Sequence, residues 1–253
     1  MNLLAFDTST DTLSIAVQRG EAVWQHTGPG GAQASASLIP AIQRLLAEAA
    51  LGFDTLDAIV FGRGPGSFTG LRTACAVAQG LAFGARKGQG VPVLPVDTLL
   101  AVAEEARHQH GCTQVLAVLD ARMNEVYSAR CQWQAVTQSW QADADFGLCA
   151  PEALVLPAAG PDGEAADARP WTVAGNAQGP YGERLLPGAH HAQVLPTAAA
   201  LLRLAPALLA AGQAVPASEA LPRYIRDKVA QTTAEREALR AQTPATATPQ
   251  STP

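Results

Sequence analysis

An α/β protein made of two similar lobes is what this sequence predicts, on three observations. Strand and helix patterns follow one another as β-β-β-α-β-α-β-α over residues 1–111. A second pass of strands begins at Gln114, and the first strand of each pass closes on an aspartate, Asp7 and Asp120. The chain has 253 residues, 48% of them hydrophobic, enough for a large core but near the length limit for one unit. The implied organisation is a first lobe over 1–111, a second over 112–229 and a tail over 230–253.

Residues 3–6 read as a buried strand. After Asp7, Thr8, Ser9, Thr10 and Asp11, the residues Leu13, Ile15 and Val17 alternate with Ser14, Ala16 and Gln18 as a second strand does. A third strand over 22–26 completes a meander that the glycines and proline of 28–31 end. Leu38, Ile39, Ile42, Leu45, Leu46 and Ala49 then share one helical face, with Pro40 tolerable in the first turn and a kink elsewhere. An apolar strand over 56–61 is closed by glycine, a helix follows, and a strand over 91–96 and a helix over 98–108 end the pass. In the second pass, strands are expected over 115–120, 125–131 and 171–175. Gly175-Asn176 opens a helix, and a last helix spans 197–212 with Leu201, Leu202, Leu204 and Leu208 apolar. Residues 158–170 read as a polar surface loop. From Ala230 onward the chain is rich in Thr, Ala, Pro and Gln and cannot bury enough apolar area to offset its ordering entropy, so the tail is expected to be disordered.

The most specific stretch is 61–84. Gly62, Gly64 and Gly66 alternate, which allows positive φ or a close backbone approach, and Pro65 stiffens the turn. Ser67 is placed to cap a helix on which Leu71, Cys75, Ala78 and Leu81 recur at helical spacing. The opposite side is small: Gly70, Thr73, Ala74, Ala76, Val77, Gly80 and Gly84, which implies a close neighbour, either a sheet or another helix. Spacing excludes three chemistries. A P-loop needs a lysine after its last glycine, and none follows Gly70. A dinucleotide turn needs G-x-G-x-x-G and free amides, whereas the spacing here is Gly64, Gly66, Gly70 and Pro65 removes a donor. A hydrolase elbow needs glycines two residues either side of Ser67, where Pro65 and Thr69 stand. A tight strand-to-helix connection with glycines for geometry remains the plain alternative.

Seventeen Lys and Arg against 22 Asp and Glu give a net charge of −5, with an isoelectric point near 5.5. That balance argues against this chain alone gripping a nucleic-acid backbone. Cys75, Cys112, Cys131 and Cys149 form no C-x-x-C, so buried thiols in a reducing compartment are expected. No leader precedes Asp7 and no apolar run reaches membrane-spanning length, so a soluble cytoplasmic protein is expected, with no membrane partner.

The run Gly62-x-Gly64-Pro65-Gly66-Ser67-Phe68-Thr69-Gly70-Leu71-Arg72, followed by a small-residue helix, resembles the signature of the TsaB (YeaZ-like) family. The resemblance covers residues 1–130 well, and beyond them Gly175-Asn176 and residues 221–226 match. It implies two RNase-H-like lobes of the actin-like ATPase superfamily, which includes sugar kinases and Hsp70. It implies a dimerisation subunit without catalysis of its own, paired with the catalytic homologue TsaD, joined by the ATPase TsaE, and reaching tRNA only through that complex. Together they transfer threonylcarbamoyl to N6 of the adenosine beside the anticodon. The implied partner-binding residues lie on the first-lobe helices: Leu38, Ile42, Leu45, Gly70, Thr73, Ala74, Val77, Ala78, Gly80 and Leu81. A homodimer through the same surface is an open alternative for the isolated protein.

By the same resemblance, the hairpins at Asp7, Thr8 and Ser9 and at Asp120, Ala121 and Arg122 correspond to the two phosphate-facing hairpins of the superfamily. Their plain alternatives are turn-forming residues and a salt-bridged hairpin. The superfamily's glycine after the first aspartate is replaced by Thr8. The H-x-x-x-H zinc motif of catalytic relatives is absent from His26, His108, His110, His190 and His191. No metal site and no cofactor of its own are therefore expected, with ATP or ADP and magnesium placed at the complex interface. A family histidine before the Leu-x-Pro of the first helix is also missing: the stretch begins at Ala34. Two rival readings are an independent ATP-binding enzyme, either ATPase or kinase, and a metallopeptidase.

Overall fold

The computed structural model describes residues 1–156 and 170–226. The loop expected over 158–170, apart from Pro170, and the tail expected from Ala230 lie outside the described residues.

In the first lobe, β1 (Asn2–Asp7), β2 (Thr12–Arg19) and β3 (Ala22–Pro29) form an antiparallel meander. Helix α1 (Ala34–Glu48) leads to β4 (Ala58–Gly64), and α2 (Phe68–Gly84) to β5 (Val93–Asp97). The sheet order is β3-β2-β1-β4-β5, with β4 parallel to both β1 and β5. Apolar residues along β1 and β4 are buried on both faces, as expected of central strands covered on two sides. Helix α3 (Thr98–His110) then crosses to the second lobe.

The second lobe repeats the plan. Its first strands are β6 (Gln114–Arg122), β7 (Glu125–Gln134) and β8 (Ser139–Ala142), with the short β9 (Gly147–Cys149) also on β7. They are followed by β10 (Thr172–Gly175), the short helix α4 (Gln178–Tyr181), β11 (His190–Gln193) and α5 (Ala198–Ala210). The order β11-β10-β6-β7-β8 is that of the first sheet, with β6 in the place of β1 and β10 in that of β4. The duplication therefore lies in the topology.

The strands divide between residues 111 and 112, but the helices do not stay with their halves. Leu99, Val102, Ala103 and Ala106 of α3 pack into the core of the second sheet. Ala198, Leu201, Leu202 and Ala205 of α5 pack on Leu3, Ala5, Val60 and Leu94 of the first. Between these helices a buried polar cluster forms. Glu104 accepts from Arg107, Arg203 and Trp140, and Glu105 from Arg203, Gln109 and Thr197. Burial works against both carboxylates, but these bonds and the neighbouring arginine charges outweigh it and hold both below the usual carboxylate range.

Local expectations shift in three places. Strand β4 does not stop at its first glycine but runs to Gly64, with a bulge between Gly62 and Gly64 against β5. Helix α1 starts at Ala34, four residues before Leu38, so Pro40 sits inside it, on its exposed side where an unpaired carbonyl can meet water. Strands β8, β9 and β11 are three or four residues long, too short to show an alternating pattern.

Candidate functional site between the lobes

The signature turn, both aspartate hairpins, Asn176 and the segment 221–226 converge on one cleft of about 360 Å³ between the lobes. Three glycines bring the turn against the first hairpin. A Cβ on Gly62 would overlap Oδ2 of Asp7, one on Gly70 would overlap the Thr8 carbonyl, and one on Gly66 would stand 2.5 Å from the Ser9 carbonyl. Hydrogen bonds close the joint. The Ser67 amide donates to the Ser9 carbonyl at 2.7 Å, and Thr8 Oγ1 donates to the Gly70 carbonyl at 2.7 Å. Ser67 Oγ caps α2 by accepting from the Gly70 amide, as its position predicts. Gly64, at φ 115°, precedes a cis peptide bond to Pro65, and a Cβ there would stand 2.6 Å from the Arg223 carbonyl.

Asp7 is wholly buried. Its Oδ1 accepts from the Ser9 amide and hydroxyl, while Oδ2 has no hydrogen-bond partner among the described residues. Burial pushes its pKa up to about 6, against the opposing pull of the two Ser9 hydrogen bonds. Asp7 and Thr8 do not line the cleft, which corrects the expectation that they face a nucleotide. The signature turn covers them, with Asp7 Oδ1 held by Ser9 and Thr8 Oγ1 by the Gly70 carbonyl. Wholly buried beneath that turn, residues 7 and 8 are closed to a magnesium nucleotide in the cleft. Ser9, Asp120 and Arg122 do line the cleft.

The second hairpin is tightly held. Asp120 Oδ1 accepts from the Tyr181 hydroxyl at 2.7 Å and from the Arg122 amide at 2.8 Å, and the Asp120 amide donates to Asn176 Oδ1. Burial and the bond to Asp120 push the Tyr181 hydroxyl up to about 12, so it remains a donor. Arg122, Met123 and Asn124 all take left-handed φ, turning the β6–β7 hairpin so that Arg122 pairs with Asp11 across the cleft. Gly175, at φ 143°, lies so close to the Val118 carbonyl that no Cβ fits.

The cleft also contains residues that no local motif marks as site residues. Arg223, Tyr224, Ile225 and Arg226 form one wall, within the run 221–226 that matches the family. Phe68 of the signature stacks on Tyr224 with ring centroids 4.8 Å apart, and the Arg72 guanidinium lies 3.8 Å from the Phe68 centroid. Contacts made more than 100 residues apart in sequence carry no local signal.

The expected partner-binding set divides. Leu38, Ile42, Leu45, Ala74 and Ala78 are buried in the first lobe's own core, and Gly70 lies against Thr8. This corrects their assignment to a partner surface, because a partner cannot reach them. Val77 and Leu81 also pack partly on that core, and Thr73 is half-buried. Gly80 is exposed, with open space where a Cβ would point. It shares an outward α2 face with Thr69, Arg72, Ala76 and Phe83, the last 73% exposed. On α1, Ile39 is 41% exposed.

Two topologically equivalent α/β lobes around a central cleft define a member of the actin-like ATPase superfamily. The family model described as "TsaD: tRNA N6-adenosine threonylcarbamoyltransferase" matches residues 27–178. The tRNA threonylcarbamoyladenosine biosynthesis protein TsaB of Escherichia coli is 32% identical over 237 residues, spanning 91% of this chain and 96% of that protein. The protein of the same name from Haemophilus influenzae is 39% identical, over 61% of this chain and 66% of its own length. The solved structure of YeaZ from Pseudomonas aeruginosa superposes with a TM-score of 0.76 at 37% identity, covering 88% of this chain and 99% of that one. The chain belongs to the TsaB family.

Proposed function

We propose that this protein is a non-catalytic, activating subunit in the biosynthesis of threonylcarbamoyladenosine on tRNA, working beside a TsaD-type catalytic subunit. The observation that carries the non-catalytic part is the joint at the first hairpin. Asp7 and Thr8 are wholly buried beneath the signature turn, with Asp7 Oδ1 held by Ser9 and Thr8 Oγ1 by the Gly70 carbonyl, in the place where the superfamily's enzymes handle phosphate. The names of the E. coli and H. influenzae relatives support the pathway.

Docking is assigned to the outward faces of α1 and α2, around Gly80, Phe83 and Ile39, where small and apolar side chains let another helix approach closely. In this reading a TsaE-type ATPase joins the complex, tRNA is held by the other subunits, and ATP or ADP with magnesium sits at the interface. A homodimer through the same face forms when the partner is missing. No helix among the described residues is long and apolar enough to cross a membrane, and the reading places the protein in the cytoplasm.

The test is tRNA modification with purified components, omitting this protein, the catalytic subunit or neither, with ATP turnover recorded for each alone. Loss of product without this chain, together with no turnover by it alone, supports the reading. The second reading, an independent ATP-binding enzyme, draws on Ser9, Asp120 and Arg122 in the cleft. It wins if the isolated protein turns over ATP and the partner works without it.

A further inference from the structure

We propose that residues 221–226 are a releasable strap, which clasps the two lobes across the cleft and leaves as a unit without unfolding either. The segment has no regular secondary structure, yet it touches the lobes alternately. The Arg223 amide donates to the Arg63 carbonyl at 2.7 Å in the first lobe. Its guanidinium reaches Asp97 of the first lobe at 3.2 Å and the Ala144 carbonyl of the second at 2.6 Å, lying over Phe146. Tyr224 stacks on Phe68 in the first lobe, while Ile225 packs against the second lobe's core. Arg226 then grips the β6–β7 hairpin through the Ala121 carbonyl and the Glu125 carboxylate.

Two features make the strap separable. Its partly buried anchors are Ile225 and the Arg226 side chain, 11% exposed and with its Nε unpartnered among the described residues, whereas Leu221 and Tyr224 are 62% and 43% exposed, so the rest of its attachment is polar and open to water. Release also strands no buried charge. Asp97 keeps its pair with Arg63 at 2.7 Å, and the Glu125 side chain is already 38% exposed. What departs is one wall of the cleft.

Native-state hydrogen exchange on the full chain tests this, with the Arg223 amide as reporter and the amides of β1 and β6 as the global reference. The Arg223 amide is expected to exchange at least tenfold faster than the reference. In Tyr224→Ala and Arg226→Ala it should accelerate a further tenfold together with the amides of Gly64, Gly66, Ser67 and residues 122–125, the reference staying unchanged. Tyr224 is largely outside the core, so its variant folds even if the arginine variant does not. Exchange of all these amides at one common rate would overturn the proposal, because the segment would then open only with the whole molecule. Acceleration confined to the segment, with neither turn responding, would overturn it as well, because nothing would be clasped.

Discussion

Gly62 is the floor beneath the Asp7 carboxylate: a Cβ there would overlap Oδ2, which the surrounding chain leaves buried and unpartnered. Gly62→Ala should therefore force apart two central strands and lower stability by about 1–3 kcal/mol. Gly80→Ala is the control, since its Cβ would meet open space on an exposed helix face. It should raise stability by up to about 1 kcal/mol through helix propensity. Denaturant midpoints of the two variants read both outcomes.

Asp7 also gives the protein a pH dependence opposite in sign to that of a salt-bridged aspartate. With its pKa raised from 3.8 to about 6, the native state holds a proton that the unfolded chain has already released between those values. Stability should fall as pH rises from 4 to 6, by about 3 kcal/mol from this group, and stay level above. Asp7→Asn should remove that slope, as urea titrations at pH 4, 5, 6 and 7 would show.

Arg203 faces the reverse situation. It pairs with both Glu104 and Glu105, whose side chains are only 2% and 7% exposed. Arg203→Ala should cost about 3–5 kcal/mol by leaving buried carboxylates short of a partner. Because both glutamates titrate below their usual value of 4.5, the stability they supply is complete above that value and is lost as pH falls below it. The variant should lose much of that acid sensitivity, measured from thermal midpoints between pH 3 and 6.

Ala78→Arg and Gly80→Leu, which look equivalent on the small side of α2, should behave differently. Ala78 is fully buried, so its arginine variant should unfold the first lobe. Gly80→Leu and Phe83→Asp alter only the exposed face. They should abolish co-purification with a TsaD-type subunit while the thermal midpoint moves by no more than a few degrees.

The alternation of strands and helices, the Ser67 cap and the special geometry of residues 62–70 were legible because each depends on residues close in sequence. What each glycine touches was not. Gly62, Gly66 and Gly70 serve Asp7, Ser9 and Thr8, more than fifty residues away, and only the parallel pairing of β1 with β4 brings them together. The same limit hid the wall formed by Arg223 and Arg226. It also explains the divided partner set, since a stripe of small residues shows that something approaches closely but not whether it is the helix's own sheet. At Ala74 and Ala78 it is.

The helix that completes the first sheet, α5, is encoded at residues 198–210, after nearly all of the second lobe. During synthesis, the first five strands leave the ribosome with one apolar face covered only in part, by Leu100 and Ala101 of α3, and the rest of it stays bare until α5 emerges. The nascent first half must wait for, or be shielded until, the arrival of its last layer. Cutting the gene between residues 111 and 112 should give two fragments that acquire structure only when mixed.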